Sequence, residues 1–469
     1  MKPKVHFCGI GGTAMVAGAR LALEAGWEVR GSDNALYPPA SDMVASLGVP
    51  VSRSYAAHNL EWKPDVVVIG NVLSRGNPEV EAVLERRMNF MSLPEWLKDN
   101  VLRKRDPIVI CGTHGKTTTT ALTAHVLDNC SGPKPGYLIG GQPLGMAHSA
   151  HLGGKDSPFV IEGDEYDTAF FDKRAKFLHY LPKIAVVTSL EFDHGDIYRD
   201  LSEIETAFER LMRIIPQRGW LLACADNHAA SLCQRAYSNT ATYGFSESAD
   251  WRGEQVDAPE GYQGLQVYKH GRPWVRIESP LSGRHNLQNV LAAVAVAGLR
   301  GINAQEAAAA VRTFRGVKRR MEVFLERGDV TFVDDFAHHP TAIGETIQAA
   351  HQRWPHARVH VMLEPRSNTL VTRRFQSELA AALGHADTVM VGPIYRGKSI
   401  PESERLDREG LCEALAGNGI PAKKANTLDR LASYANRIGE PGDVVLLLSN
   451  GAFLGLRQRL IADQQESAA

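Results

Sequence analysis

Short apolar runs alternate with longer amphipathic segments over the first hundred residues of the chain. The apolar runs cover 5–10, 27–33 and 65–71, and the segments with helical spacing cover 14–25, 40–47 and 77–87. Strands that alternate with helices are typical of a parallel sheet with helical crossovers. We therefore predict a domain of this kind over residues 1–104.

The same alternation returns twice further along the chain. Apolar runs lie at 107–111, 159–165, 184–194 and 219–227, and then at 330–336, 357–365, 387–392 and 443–451. Residues 240–282 are short, alternating and rich in turn residues, which is typical of antiparallel strands. The pattern predicts an α/β protein of three domains. A Rossmann-like N-terminal domain precedes a central domain with extra antiparallel strands (105–315), and a second Rossmann-like domain follows (316–469).

Composition and charge argue against several functional classes. The 469 residues include 52 Lys and Arg against 53 Asp and Glu, a net charge of −1, whereas a nucleic-acid-binding protein usually carries a basic surplus. The sequence has no run of about 18 apolar residues and no signal-peptide pattern. The six cysteines have no CxxC spacing, which favours reduced thiols. We expect a cytoplasmic protein that binds neither nucleic acid nor membrane.

The strongest chemical signal is the glycine-rich turn GTHGKTT at 112–118, between an apolar run and a helix-like segment. Glycines let several backbone N–H groups point at one anion, and the helix N-terminus adds a partial positive charge. In such a loop Lys116 reaches the terminal phosphates and the Thr117 hydroxyl binds Mg²⁺. The turn is a shortened P-loop, because Ile110 stands five positions before Gly115, where the usual loop has glycine.

A second glycine turn, GIGG at 9–12, follows the first apolar run. Asp33 stands 22 residues after Gly11, near the spacing at which dinucleotide-binding folds place an acidic residue on a ribose. Ala14 occupies the position of the third glycine in the strict fingerprint. The turn is weak support for an NAD-linked dehydrogenase, and beside an ATP-type loop it suits a nucleotide-sugar diphosphate better. A dehydrogenase and a non-catalytic nucleotide-binding regulator remain as alternatives.

The order of the motifs resembles that of the Mur ligase family, ATP-dependent amide-forming enzymes of peptidoglycan synthesis. Besides the shortened phosphate loop, the chain carries GIGGTAM at 9–15, GSD at 31–33, EGDEYD at 162–167, EFDH at 191–194, GRHNLQN at 283–289 and DDFAHHP at 334–340. The resemblance implies that ATP phosphorylates a carboxylate and that an amine then attacks the acyl phosphate.

The resemblance also implies site residues in all three domains. For ATP these are Gly112, Thr113, His114, Gly115, Lys116, Thr117, Thr118, His285, Asn286, Asn289, Arg320 and Asp335. For a UDP-sugar they are Gly9, Gly11, Gly12, Thr13, Ser32, Asp33 and Asn71, and for a peptide His338, Arg366, Ser367 and Asn368. Mg²⁺ is expected at Thr117, Glu162 and His194, and catalysis at Lys116, Glu162, His194 and Arg320.

Residue chemistry supports parts of this set. Asn286 and Asn289 are three positions apart, so their amides share one helix face, although helix capping is the alternative for Asn286. Arg366 can clamp a carboxylate with two parallel hydrogen bonds. Arg320 lies in a run of charged residues, for which a solvated linker is the alternative.

Three further segments indicate a branch of the family. GNVLSRGNP at 70–78, FFDKR at 170–174 and LEPRSNT at 363–369 are similar to the branch that joins the tripeptide L-Ala-γ-D-Glu-meso-diaminopimelate to UDP-N-acetylmuramate in peptidoglycan recycling. The alternative is the branch that adds L-alanine to UDP-N-acetylmuramate. We expect a monomer or weak homodimer, with the third domain swinging onto the second about a hinge near 314–320.

Overall fold

Three separate, mostly parallel β-sheets form the framework of the protein. The computed structural model describes residues 1–36, 40–192 and 197–468. The three-domain α/β class predicted from the alternating pattern is confirmed, while the domain limits at 104 and 315 stay predictions. Within the described residues, no helix is both long and apolar enough to cross a membrane.

The N-terminal sheet is parallel throughout, in the strand order β3-β2-β1-β4-β5. Its strands are β1 (Lys4–Cys8), β2 (Glu28–Ser32), β3 (Val51–Ser52), β4 (Val66–Ile69) and β5 (Phe90–Ser92), and its helices are α1 (Thr13–Glu24), α2 (Ala40–Ala45), α3 (Pro78–Glu85) and α4 (Leu93–Asn100). Because β1 is central, the glycine turn after it opens at the carboxyl edge of the sheet, where such folds bind ligands.

The central sheet has ten strands in the order β17-β16-β15-β14-β13-β12-β6-β9-β7-β8, and a separate hairpin pairs β10 with β11. The strands are β6 (Asp106–Cys111), β7 (Gly136–Leu138), β8 (Ala150–His151), β9 (Pro158–Glu162), β10 (Asp167–Ala169), β11 (Asp172–Ala175), β12 (Ile184–Val187), β13 (Trp220–Cys224), β14 (Asn239–Gly244), β15 (Trp251–Val256), β16 (Gln263–Lys269) and β17 (Arg272–Ser279). The helices are α5 (Lys116–Asn129), α6 (Leu201–Met212), α7 (Arg284–Leu299) and α8 (Ala304–Arg312).

The antiparallel prediction for 240–282 is confirmed for β15, β16 and β17. It is wrong for β14, which pairs in parallel with β13 and β15. The reason is the 3₁₀ helix His228–Arg235, which provides a crossover between β13 and β14 where a hairpin turn would reverse the chain.

The C-terminal sheet has the order β18-β19-β23-β20-β21-β22, and only the edge strand β18 is antiparallel. Its strands are β18 (Glu322–Arg327), β19 (Val330–Asp335), β20 (Val359–Leu363), β21 (Thr388–Val391), β22 (Ala422–Lys424) and β23 (Val444–Leu448), and its helices are α9 (Pro340–Arg353), α10 (Gln376–Leu383), α11 (Arg408–Gly417), α12 (Leu428–Ala435) and α13 (Leu456–Ala468). Strands β19 and β20 flank β23. The motifs at the ends of these two strands, at 334–340 and 363–369, therefore lie at the same carboxyl edge of the sheet.

The connection between the second and third domains is fixed to the central domain as far as Lys318. The Leu144 N–H donates to the Gly316 carbonyl at 2.8 Å, and the Lys318 N–H donates to the Gln142 carbonyl at 2.9 Å. Beyond it, Arg319 and Met321 have positive φ values of 60° and 51°, which residues with a side chain rarely adopt. Within the predicted hinge at 314–320, Gly316 and Lys318 are thus bonded to the central domain, and a swing of the third domain stays a prediction.

Candidate active site

The glycine-rich turn joins β6 to α5 at the carboxyl edge of the central sheet. Gly112 has a φ of +124° and Gly115 a φ of +79°, conformations that favour glycine. A Cβ at Gly112 would lie 2.4 Å from Thr188 Oγ1, and one at Gly115 would lie 2.5 Å from Asn289 Oδ1. The surrounding chain packs closely against the turn, so both glycines are needed for its path.

The Lys116 ammonium group turns back over this loop. Its Nζ donates to the carbonyls of Gly112 at 2.7 Å and Thr113 at 3.2 Å, and to Glu165 Oε1 at 2.9 Å. Burial alone would lower the pKa of Lys116, but the carboxylates of Glu165 and Asp164 outweigh it and raise the pKa. A charged ammonium group therefore stands where such loops hold the terminal phosphates of a nucleotide.

Thr117 and Glu162 form a pair of oxygen ligands beside the loop. Thr117 Oγ1 donates to Glu162 Oε1 at 3.0 Å, and the Gly140 N–H donates to Glu162 Oε2 at 2.8 Å. Burial raises the pKa of Glu162, so a cation nearby would stabilise its ionised form. A hydroxyl and a carboxylate are hard oxygen ligands, and these two residues therefore fit Mg²⁺. The third predicted ligand, His194, lies outside the described residues.

The segment after β12 anchors the phosphate loop. The Thr113 N–H donates to the Ser189 carbonyl at 3.0 Å, and the His114 N–H donates to Ser189 Oγ at 2.8 Å. Thr113 Oγ1 accepts from the Glu191 N–H at 2.9 Å and donates to the Glu191 carbonyl at 3.2 Å. The loop therefore has a defined path without a ligand. Ser189 was not predicted from the sequence, because it precedes the EFDH motif and belongs to no motif itself.

The two side-chain amides predicted for the ATP site lie at the start of α7. Asn289 Oδ1 accepts from Thr119 Oγ1 at 3.0 Å, and Asn289 Nδ2 donates to Asn286 Oδ1 at 3.1 Å. Asn286 Nδ2 donates in turn to the Ser282 carbonyl at 2.7 Å. Asn289 thus bonds to α5 just after the loop and Asn286 to the chain just before α7, and the contact of both amides with ATP stays a prediction.

Two further residues predicted for ATP lie close to these amides. Thr118 is buried within α5. Burial lowers the pKa of His285 to about 4, and the positive charge of Arg320 acts in the same direction. The His285 ring is therefore neutral at pH 7 and can accept a hydrogen bond.

Arg320 and Asp335 bring the start of the third domain to the loop. Arg320 Nη2 lies 3.3 Å from Thr117 Oγ1. Asp335 Oδ2 accepts from the Met321 N–H at 2.7 Å and Oδ1 accepts from the Ala337 N–H at 2.8 Å. Arg320 is thus placed beside the loop, whereas the Asp335 carboxylate shapes the chain after the hinge.

The glycine turn of the N-terminal domain is built by two residues assigned to a ligand from the sequence. The Gly11 N–H donates to Asp33 Oδ2 at 2.8 Å. The Ser32 carbonyl accepts from the Gly9 N–H at 2.8 Å, and Ser32 Oγ donates to the buried Glu79 Oε2 at 2.5 Å. The Ser32 side chain is fully buried, and a ligand contact of Ser32 stays a prediction. A ligand contact of Asp33 stays a prediction.

The other residues of this predicted site lie around the same turn. Gly12 caps α1, and Thr13 is the exposed first residue of that helix. Asn71 Nδ2 donates to Asp167 Oδ1 in the central domain at 3.3 Å. The Tyr55 hydroxyl lies 3.8 Å from the position that a Cβ at Gly9 would take. Tyr55 was not predicted, because it follows a strand of two residues and carries no motif.

A cavity of about 250 Å³ opens between the central and C-terminal domains. It is lined by Tyr166, His338, Arg366, Ser367, Asn368, Thr369, Tyr395 and Asn450. The four residues predicted for the peptide are thus brought together. The aromatic walls were not predicted from the sequence, although Tyr166 belongs to the motif EGDEYD. Tyr395 lies in no motif.

Arg366 is held in a fixed position at this cavity. Its guanidinium carbon lies 3.7 Å from the centroid of the Tyr395 ring, and its Nη1 lies 3.7 Å from Glu364 Oε1. A Cβ at Gly451 would lie 2.1 Å from Arg366 Nε, so glycine leaves the room that the side chain needs. A planar cation held between a ring and a backbone is suited to bind a carboxylate.

Comparison with known families accounts for all three domains. Residues 4–105 match the model described as "Mur ligase family, catalytic domain", residues 110–297 match "Mur ligase middle domain", and residues 319–451 match "Mur ligase, glutamate ligase domain". The chain belongs to the Mur ligase family. The expectation of an ATP-dependent, amide-forming ligase is thereby confirmed at the level of the family.

Individual Mur ligases resemble this chain over nearly its whole length. The UDP-N-acetylmuramate–L-alanyl-γ-D-glutamyl-meso-2,6-diaminoheptandioate ligase of Escherichia coli K12 is 40% identical over 98% of this chain and 97% of its own length. The crystal structure of a murein peptide ligase from Psychrobacter arcticus is 33% identical, with a TM-score of 0.72 and 98% of each chain covered. The UDP-N-acetylmuramate–alanine ligase MurC from Thermotoga maritima has a TM-score of 0.79 at 25% identity, over 99% of each chain.

Proposed function

We propose that the chain is an ATP-dependent ligase that joins L-Ala-γ-D-Glu-meso-diaminopimelate to UDP-N-acetylmuramate, in peptidoglycan recycling in the cytoplasm. The names of the E. coli and P. arcticus relatives support this substrate pair. The structural observation that carries the proposal is that the phosphate loop at 112–118 lies close to the cavity around Arg366. Glu165 holds Lys116 at 2.9 Å, and the next residue, Tyr166, lines the cavity that contains Arg366.

The first step activates the sugar-borne acid. A carboxylate oxygen of UDP-N-acetylmuramate attacks the γ-phosphorus of ATP, the bond from that phosphorus to the β–γ bridging oxygen breaks, and ADP leaves. Two anions must approach each other, so the positive charges of Lys116 and Arg320 lower the barrier. Mg²⁺, for which Thr117 and Glu162 are the ligands, supplies further neutralisation of the phosphates when it is bound.

The second step forms the amide. The amine of the tripeptide attacks the acyl carbon, a tetrahedral intermediate forms and collapses, and inorganic phosphate leaves while the amine loses a proton. Arg366 clamps a carboxylate of diaminopimelate, and Ser367, Asn368 and His338 orient the peptide around it. The UDP portion binds at the turn of the N-terminal domain, against Gly9, Gly11, Gly12, Thr13, Ser32, Asp33 and Asn71.

A phosphate-release assay with two acceptors tests this assignment. ATP and UDP-N-acetylmuramate are held constant, and the tripeptide is compared with L-alanine at matched concentrations. Phosphate release and a new amide product with the tripeptide support the proposal. The TM-score of 0.79 to the T. maritima enzyme favours the runner-up, L-alanine addition. Turnover with L-alanine and none with the tripeptide would establish that alternative.

We further propose that His194 contributes a contact to a second metal ion and that the chain acts as a monomer or weak homodimer. The domain limits are placed at residues 104 and 315. Sedimentation velocity across a concentration series tests the oligomeric state. A stable trimer or larger assembly would contradict it.

A further inference from the structure

The carboxylate of Glu191 connects two domains. Glu191 Oε2 accepts from Thr341 Oγ1 at 2.9 Å, and Thr341 lies in the first turn of α9 in the C-terminal domain. The same oxygen lies 3.4 Å from Nε2 of His114, a residue of the phosphate loop. The His114 ring centroid is 4.9 Å from that of His339, which precedes α9. The phosphate loop and the start of α9 therefore meet at a single carboxylate.

The backbone of Glu191 is fixed to the same loop. The Thr113 hydroxyl accepts from the Glu191 N–H at 2.9 Å and donates to the Glu191 carbonyl at 3.2 Å. A shift of Thr113 must consequently move Glu191. The His114 ring, 3.4 Å away, lowers the pKa of Glu191, which leaves an ionised acceptor facing Thr341 at pH 7.

The residue that follows contacts the C-terminal domain at a second place. The guanidinium carbon of Arg374 lies 3.9 Å from the Phe192 ring centroid, and the rings of Phe192 and Phe375 stack at 6.3 Å. Residues 191 and 192 therefore contact both the start of α9 and the turn at 374–375. A segment attached to the phosphate loop on one side and to the C-terminal domain on the other is positioned to couple the two.

We propose that Glu191 and Thr341 are positioning residues that couple nucleotide occupancy of the phosphate loop to docking of the C-terminal domain. The proposal rests on the proposed function, because it requires a nucleotide on one domain and an acceptor on another. A nucleotide bound in the loop holds Thr113 in place. Because Thr113 is hydrogen-bonded to Glu191, the Glu191 carboxylate is then positioned to accept the hydrogen bond from Thr341 when the C-terminal domain docks. Docking then brings the cavity around Arg366 to the activated acid, which is where orientation affects the rate.

The Thr341 hydroxyl provides a clean test, because Thr341 is exposed and its removal should leave the fold intact. We expect Thr341→Val to lower kcat with the tripeptide roughly ten- to a hundredfold, the effect of losing one hydrogen bond to a charged group. The KM for ATP should stay within about twofold. Thr341→Ser keeps the hydroxyl and should restore kcat. The matched control is Thr206→Val, at an exposed threonine whose hydroxyl bonds only to Ser202 of its own helix.

The outcomes separate this coupling from the proposed function. A wild-type enzyme inactive on the tripeptide contradicts the proposed function. An active wild type whose Thr341→Val variant has the same kcat, or whose Thr341→Ser variant is equally slow, contradicts the coupling alone. Small-angle scattering with a non-hydrolysable ATP analogue needs no turnover. It should show the wild type more compact than Thr341→Val, and equal compaction of the two would overturn the coupling.

Discussion

The ammonium group of Lys116 lies 2.9 Å from the carboxylate of Glu165, and Glu165 directly precedes a wall of the acceptor cavity. The lysine is therefore held at the loop by protein oxygens before a nucleotide arrives. Phosphate oxygens can replace these acceptors without moving the charge far, so the site needs little rearrangement to accept a developing negative charge. This relationship places the ammonium group of Lys116 beside the cavity that we propose for the peptide.

Removal of the Lys116 charge should nearly abolish turnover. We expect Lys116→Met to lower kcat by about 10²–10³-fold, because the ammonium group offsets charge that develops during phosphoryl transfer. Phosphate release at saturating substrates measures this effect. Lys155→Met, at an exposed lysine outside the predicted site, is the matched control. A Lys116→Met enzyme within threefold of the control would contradict the assigned role.

Loss of the Glu162 charge should weaken the response to Mg²⁺. We expect Glu162→Gln to raise the Mg²⁺ concentration for half-maximal rate by roughly tenfold or more, because a neutral amide is a poorer ligand than a carboxylate. A Mg²⁺ titration of phosphate release measures the shift. Glu260→Gln, at an exposed glutamate, should leave the titration unchanged. An identical midpoint in both variants counts against metal binding at Glu162.

A methyl group at Gly112 should damage the phosphate loop. Gly112→Ala requires a strained φ of +124° and places Cβ 2.4 Å from Thr188 Oγ1. We expect ATP-analogue affinity to fall at least tenfold in isothermal titration. Gly271→Ala provides a control at another positive-φ glycine, where a Cβ meets no atom within 4 Å. Equal affinity in the two variants would show that the close packing around the loop does not matter.

Arg366 should determine affinity for the peptide. We expect Arg366→Lys to raise the KM for the tripeptide by roughly tenfold or more with less effect on the KM for ATP, since lysine lacks the planar pair of donors. Initial rates against tripeptide concentration measure this. Arg437→Lys, at an exposed arginine outside the cavity lining, serves as the comparison. If both KM values rise together, Arg366 acts on the fold and not on the peptide.

Stability should depend on pH through His285. Burial lowers its pKa from the ordinary 6.5 to about 4, so the unfolded chain binds a proton between these values and the folded protein does not. Stability is therefore unaffected by this group above pH 6.5 and falls as the pH is lowered from 6.5 to 4. Thermal unfolding midpoints of the wild type and His285→Gln between pH 7.5 and 5 measure the effect. The variant should lose less stability on acidification, and parallel curves would rule out His285 as the cause.

The fold could be predicted from the sequence where the hydrophobic pattern of a single strand is sufficient to identify that strand. A parallel strand buried on both faces reads as a continuous apolar run, as in Val444–Leu448, and so the main strands were found. The two-residue strands β3 and β8 carry too little pattern to be recognised. Edge strand β18 was also missed, because its side chains are mostly half-buried and no continuous apolar run marks it.

The site was predictable where its residues are neighbours in sequence. The phosphate loop is formed by consecutive residues, so its glycines, Lys116 and Thr117 could be assigned directly from the sequence. The contact between Glu191 and Thr341 spans 150 positions and depends on how two domains pack, which no local pattern encodes. The hydrogen bond of Ser32 to Glu79 could not be predicted for a related reason, because Glu79 comes from a helix that is distant in sequence.

Transfer of a labelled oxygen tests the central claim most directly. UDP-N-acetylmuramate carrying ¹⁸O in its carboxylate is incubated with ATP, Mg²⁺, the tripeptide and the enzyme, and the released phosphate is examined by mass spectrometry. If the acid is phosphorylated at the loop of Lys116, one ¹⁸O atom must leave with each phosphate. Amide product accompanied only by unlabelled phosphate would contradict an acyl phosphate intermediate and, with it, the proposed role of the Lys116 loop.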